Sequence, residues 1–407
     1  MKHEIKKIAE VEVVFAPMPE VNSVTIEIFV KAGSNYEIRE NNGISHFLEH
    51  MFFKGGKKFP TPHSVAQAVD QFGGSFNAYT GDEYAGYFVK CAPDYIHQAI
   101  EVLGDMLVHA QFPQDEMERE KGVVIQELKM YEDIPQRLVN NKRKQFFYGD
   151  NCYGRSIIGT EENIKKFTRE DLFAHKENLY TKDNLVIVVA GKIIDQKALE
   201  DQIANEFGPL PEKKKILVTP YSIHTPAKKH DFFNKKTEQN HLIISARGFS
   251  LSQPERYAAS LLGVILGGNM SSRLFQQIRE KKGLCYYISA SHSADSFDGL
   301  FFIKAGIEKA RFEFGLQAIK EEIKKIADGD ISQEEFDKAV SYMKGKTQMG
   351  IESSDECSDF IGSQYLIENK IETLDQILES YQKVTLSDLK NICHLLNEEN
   401  LFIYHIE

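Results

Sequence analysis

Gly43-Ile44-Ser45-His46-Phe47-Leu48-Glu49-His50-Met51-Phe52-Phe53 is the stretch from which the rest of the chain can be read. His46 and His50 stand four residues apart, so on a helix both imidazoles project from one face. Two ring nitrogens at that spacing can grip one tetrahedral zinc ion. Glu49 lies beside them but is turned away by about one residue, where a general base for a bound water would stand. Ile44, Phe47, Leu48 and Met51 form the opposite, apolar side. A His-x-x-Glu-His string is expected by chance only about 0.03 times in a chain of this composition. Zinc held there lowers the pKa of a bound water to about 7 and polarises a carbonyl.

A two-histidine site needs a third ligand from another element, and a carboxylate suits catalytic zinc. The stretch Glu116-Met-Glu-Arg-Glu120-Lys-Gly-Val-Val-Ile-Gln-Glu127-Leu-Lys offers one. Glu120 and Glu127 are seven apart, on nearly the same face of a helix two turns along. Val123, Val124 and Leu128 are expected to pack that helix into the core. Glu127 is assigned as ligand and Glu120 as a carboxylate orienting a ligand histidine. Taken alone, a glutamate on a charged helix reads as part of a solvated face; the spacing is what overturns that reading here.

The 407 residues are 42% hydrophobic and 27% charged, enough for two to three domains. The net charge of −11, from 49 basic and 60 acidic residues, argues against nucleic acid as a partner. Cys91, Cys152, Cys285, Cys357 and Cys393 are odd in number and widely spaced. That pattern implies free thiols rather than a disulfide framework or a cysteine zinc site. No apolar run follows Lys6-Lys7, and no stretch is long enough to span a bilayer. A cytoplasmic protein with no membrane partner is therefore expected.

Alternation over Val24–Val30 predicts a strand, and the unbroken apolar run Leu185–Ala190 predicts a strand buried in a sheet. Residues 61–72, 95–109, 114–131 and 169–179 read as helices, and 76–89 as strands. The Pro- and Lys-rich stretch from Gly208 to Lys229 is the best linker. It divides the chain into domains 1–212 and 226–407, joined by 213–225. The halves carry a faint repeat. Thr168-Arg-Glu-Asp171-Leu172 precedes Asn184-Leu185, and Thr385-Leu-Ser-Asp388-Leu389 precedes Asn400-Leu401. Each copy reads as a capped helix followed by a core strand.

The His46-x-x-Glu49-His50 motif with Glu127 77 positions later resembles the pitrilysin/insulinase family of zinc peptidases, in its short, processing-peptidase-like form. Glu120 matches that family's further glutamate. Gly73-Gly-Ser-Phe-Asn77-Ala78-Tyr79-Thr80 is similar to its substrate-binding edge strand. Ile278-Arg279-Glu-Lys-Lys-Gly283-Leu-Cys-Tyr286 is similar to its substrate-binding Arg/Tyr pair.

The resemblance implies an α+β fold of two homologous domains. Each has a mixed, largely antiparallel sheet with helices on one face. It implies one Zn2+ per chain on His46, His50 and Glu127, with Glu49 as base. It gives Arg279 and Tyr286 to the substrate carbonyl and the oxyanion, and Asn77, Ala78 and Tyr79 to the peptide backbone. The activity implied is that of a zinc endopeptidase acting on unfolded or short peptides. The family's chamber uses four such domains, so a homodimer is expected, with Arg279 and Tyr286 of one subunit completing the other's site. A heterodimer with a related chain, or a non-catalytic partner subunit that binds peptides, is the alternative.

Overall fold

Each of the two sheets carries its most buried strands in its interior. The computed structural model describes residues 2–212 and 222–407. The first sheet holds β1 (Glu4–Ile8), β2 (Val11–Pro17), β3 (Val24–Val30), β4 (Ser75–Thr80), β5 (Ala85–Cys91) and β6 (Leu185–Gly191). Their order is β1-β2-β6-β3-β5-β4. Every residue of β3 and β6 is buried, so these strands occupy the middle. β2 and β6 run parallel; the other pairs are antiparallel.

The second sheet holds β7 (His230–Phe233), β8 (Gln239–Arg247), β9 (Cys285–Ala294), β10 (Gly299–Glu308) and β11 (Phe402–Ile406). Its order is β7-β11-β8-β10-β9. Here β7 and β11 are the parallel pair, and the others are antiparallel. With β1 set aside, the two sheets have the same order and the same directions. The faint sequence repeat is this duplication. Thr168 and Thr385 each cap a helix through a reciprocal bond with Asp171 or Asp388. The strands that follow, β6 and β11, occupy equivalent places.

Compact units form around these sheets, but they are not the contiguous halves 1–212 and 226–407. One unit comprises Met1–Met130, Arg155–Pro220 and Gly350–Glu372; the other comprises Tyr131–Gly154, Tyr221–Met349 and Thr373–Glu407. Each half lends one helical segment to the other half's sheet. The physical reason is that both sheets are apolar on both faces. In the first unit, Phe52 of the helix Ile44–Phe52 packs edge-on against Tyr87 of β5, their ring centroids 5.4 Å apart. Tyr87 shares its face with Ile28, its partner in register. The opposite face, with Phe29, Val186 and Val188, is covered by Cys357, Ile361 and Leu366 of the helix Ser354–Glu368.

A Cβ at Gly362 would collide with the Phe29 ring, so glycine lets this helix lie close. In the second unit, Leu242, Ile244 and Ile303 pack with the helices Glu255–Gly267 and Phe312–Ala327. On the other face, Ile243, Tyr404 and Ile406 meet Leu138 and Val139 of the helix Pro135–Tyr148. Helices on one face thus describes what each half supplies to its own sheet, and the exchanged helix adds the second layer. Residues 213–221 of the expected linker lie outside the described residues.

None of the five cysteines is in a disulfide; Cys285 is half-buried and the rest are buried. No helix among the described residues is long and apolar enough to cross a membrane.

Candidate metal centre

The helix Ile44–Phe52 starts at Gly43, whose φ of +102° suits glycine. Glu37, fully buried, caps this start. Its Oε2 accepts from the Gly43 amide and from Asn42 Nδ2, each at 2.8 Å, and its Oε1 accepts from the Ser45 amide at 2.8 Å. Burial pushes this carboxyl up, and the bonds from Gly43 and Ser45 oppose the shift. A carboxylate here also complements the helix dipole. Ile44, Phe47, Leu48, Met51 and Phe52 are buried, which fixes the rotation of the helix and aims His46, Glu49 and His50 together.

The helix Gln114–Asp133 supplies the carboxylates. Its inward line runs through Met117, Glu120, Val124 and Glu127, at spacings of three and four. Val123 stands about 100° away from Val124 and is exposed. The expectation that Val123 packs into the core is corrected by that offset. Met130 is likewise exposed, whereas Met106 and Met117 are buried.

His50 Nε2 lies 3.3 Å from Glu127 Oε2, and His46 Nε2 lies 3.7 Å from the same oxygen. Ligand atoms of the three residues all lie within 4.8 Å of one another. A tetrahedral ion with ligands at about 2.0–2.2 Å holds them roughly 3.3–3.6 Å apart; the two separations from Glu127 come close to that, and two imidazoles with a carboxylate are a donor set that suits zinc. Among the described residues, this is the one group of three such side chains that could share an ion.

Glu120 stands behind the ligands. His50 Nδ1 is 2.9 Å from Glu120 Oε1, and Lys54 Nζ is 2.6 Å from Glu120 Oε2. The bond at Nδ1 fixes the tautomer that turns Nε2 toward the metal position. Burial works to raise the Glu120 carboxyl, but His50 and Lys54 outweigh it and hold it below its ordinary value. Burial also disfavours charge on His50, yet its bonds to Glu120 and Glu127 win and push it up to about 9. His46 is pushed down to about 4 by burial and by the neighbouring His50. A buried His175 touches the same helix, with Nε2 3.0 Å from Ser45 Oγ. Glu49 accepts from Thr80 Oγ1 at 2.5 Å; burial pushes its carboxyl up and the Thr80 bond opposes the shift.

Asn77, Ala78 and Tyr79 lie on β4, an edge of the first sheet. The Ala78 amide donates to Asn77 Oδ1 at 2.9 Å. The Tyr79 hydroxyl is 3.1 Å from both Glu27 Oε1 and Asp359 Oδ1, so its side chain is engaged inside the unit. Arg279 and Tyr286 belong to the second unit. Arg279 sits in a π-helical turn, Phe275–Lys281, a form frequent at functional sites. Its guanidinium carbon is 5.8 Å from the ring centre of Tyr286, and Tyr286 is 76% exposed. The sequence-predicted pair is therefore adjacent.

Residues 12–161 match the family model described as insulinase, peptidase family M16, and residues 166–343 match the model for the peptidase M16 inactive domain. An uncharacterized zinc protease of Bacillus subtilis is 34% identical over 96% of this chain and 94% of its own length. The chain belongs to the insulinase family, peptidase family M16. An uncharacterized zinc protease of Rickettsia bellii is 34% identical over 91% of this chain and 89% of its own. Among solved structures, a protease from Helicobacter pylori superposes with a TM-score of 0.91 at 21% identity, covering 100% of this chain and 99% of that one. A peptidase M16 inactive domain from Pseudomonas fluorescens gives 0.90 at 20% identity, covering 100% and 98%. These likenesses show the M16 fold.

Glu37, Lys54, Thr80 and His175 support the site, and none carries a motif that sequence reading could isolate.

Proposed function

We propose that this M16 chain is a zinc-dependent endopeptidase that hydrolyses unfolded or short peptides. The observation that carries this reading is the convergence of His46, His50 and Glu127 from two helices, with Glu49 beside them. Zinc bound there would acidify water and polarise the scissile carbonyl. Glu49 takes a proton from the attacking water and delivers it to the leaving amine. Glu120 and Lys54 hold His50 in the required orientation. The free edge of β4 at Asn77, Ala78 and Tyr79 offers main-chain groups to an extended peptide, which favours loose sequence preference.

Arg279 and Tyr286 would donate to a substrate carbonyl and to the developing oxyanion. We assign them to the site of a second copy, so the active form is a homodimer with two sites. Peptide is the partner, and a cytoplasmic location is consistent with free thiols. The inactive-domain description of residues 166–343 favours a second reading, a peptide-binding subunit of a heterodimer. Intact zinc ligands and Glu49 favour the enzyme.

The test is hydrolysis of quenched peptides of graded length. We expect cleavage that a chelator abolishes, that zinc restores, and that stops above an upper peptide length. A zinc-loaded protein that cleaves none of them contradicts the proposal.

A further inference from the structure

β4 ends on two residues that point to opposite faces of the sheet, as successive strand residues must. On one face, the Tyr79 hydroxyl lies 3.1 Å from Glu27 Oε1 and 3.1 Å from Asp359 Oδ1. On the other, Thr80 Oγ1 donates to Glu49 Oε2 at 2.5 Å. The turn that follows is fixed as well. Gly81 N donates to Tyr84 O at 2.8 Å and Asn35 N donates to Asp82 O at 2.8 Å. Ser34 Oγ donates to Asp82 Oδ1 at 3.0 Å. Asn35 and Ser34 belong to the segment that leads into the metal-site helix. Thr80 is therefore a hydroxyl on a pinned strand end, and it is the hydrogen-bond partner of the Glu49 carboxylate.

We propose that Thr80 is a positioning residue for the general base, setting which oxygen of Glu49 is free to take a proton and where it points. This rests on the peptidase reading above and deepens it. A carboxylate on a two-bond stem has several rotamers, and only one places an oxygen within reach of the attacking water. The Thr80 bond occupies Oε2 and stops that rotation, leaving Oε1 for the proton. Thr80 also ends the strand on whose edge the peptide lies. The register of a bound peptide and the direction of the base are thereby set by adjacent residues of one strand.

The experiment compares Thr80→Val, which keeps the β-branched shape and loses the hydroxyl, with Thr80→Ser, which keeps the hydroxyl. Each is measured for kcat and KM on a quenched peptide, for zinc affinity by competition with a chromogenic chelator, and for thermal unfolding. Removing a hydrogen bond to a charged group predicts a kcat about 10–100-fold lower in Thr80→Val. KM and zinc affinity should stay within about twofold of wild type, and Thr80→Ser should recover most of kcat. In a Glu49→Gln background, Thr80→Val should remove nothing further. A Thr80→Val enzyme with wild-type kcat, a loss confined to KM or to zinc affinity, or a Thr80→Ser as impaired as Thr80→Val overturns the proposal. Should Thr80→Val not fold, the Thr80→Ser recovery and an Ala variant decide by the same criteria. A wild-type zinc protein without activity, or a fully active Glu49→Gln, defeats the peptidase reading itself and Thr80's role with it. Wild-type cleavage lost in Glu49→Gln but untouched in Thr80→Val defeats Thr80 alone.

Discussion

Glu120 reaches the metal position only through His50, so its effect should be read in affinity rather than in chemistry. Glu120→Gln keeps the shape and loses the charge that turns His50 Nε2 outward. We expect zinc to bind about 10–100-fold more weakly, with little change in the unfolding of the metal-free protein. Unchanged affinity in a chelator competition would contradict the role.

Glu27 makes a separate prediction. It is buried on β3 near Tyr79, Ser358, Asp355 and Asp359, and burial pushes its carboxyl up to about 8, with the neighbouring aspartates adding to the shift. A carboxyl raised from 4.5 contributes its full stability below about pH 4.5 and loses it as pH rises through 8. Glu27→Gln should therefore be more stable than wild type at pH 9, by about 2–4 kcal/mol, and should lose that advantage at pH 5. Denaturant titrations at the two pH values check this, and equal gaps would count against it. At this scale the sequence was most legible where the geometry is local. His46, Glu49 and His50 lie within one helical turn and a half, so spacing alone aimed them. Thr80 acts 31 positions from Glu49, and His175 acts 130 positions from Ser45. Such contacts exist only once the chain has folded.

Elements show the same division. The strand 24–30 and the helix 169–179 fall where their patterns place them, because alternation and a Thr–Asp capping box are local signals. The exchange of the helices Pro135–Tyr148 and Ser354–Glu368 is not local. An amphipathic helix states that it has an apolar face, not which sheet that face covers. β6 did signal a need for cover on both faces, since it does not alternate with polar residues, whereas Thr25 and Glu27 gave β3 the pattern of a strand with one polar face. The exchanged helix can be tested through Gly362. By helix propensity alone, Gly362→Ala should stabilise by about 1 kcal/mol. Against Phe29 it should instead destabilise by about 1–3 kcal/mol, the range for overpacking a core. A rise in melting temperature would show that this helix does not lie on β3.

At the scale of the whole molecule, the duplication was legible as two capped helices each followed by an apolar strand. The matching sheet orders make it a fold-level repeat. Only one of the two units carries a triad that could hold a metal ion among the described residues, while the other carries Arg279 and Tyr286. That division of labour underlies the proposed homodimer. Mixing Glu49→Gln chains with Arg279→Ala/Tyr286→Ala chains should restore part of the activity, because a mixed pair contains one complete site. No recovery after demonstrated subunit exchange would place the pair elsewhere.

The most direct test of the central claim measures zinc content and peptide hydrolysis on the same samples of wild type and Glu49→Gln. We expect one zinc per chain in both, with cleavage by wild type that chelator removes, and a loss of at least about a thousandfold in Glu49→Gln from removal of the base. Stoichiometric zinc without cleavage in wild type, or undiminished cleavage by Glu49→Gln, would contradict it.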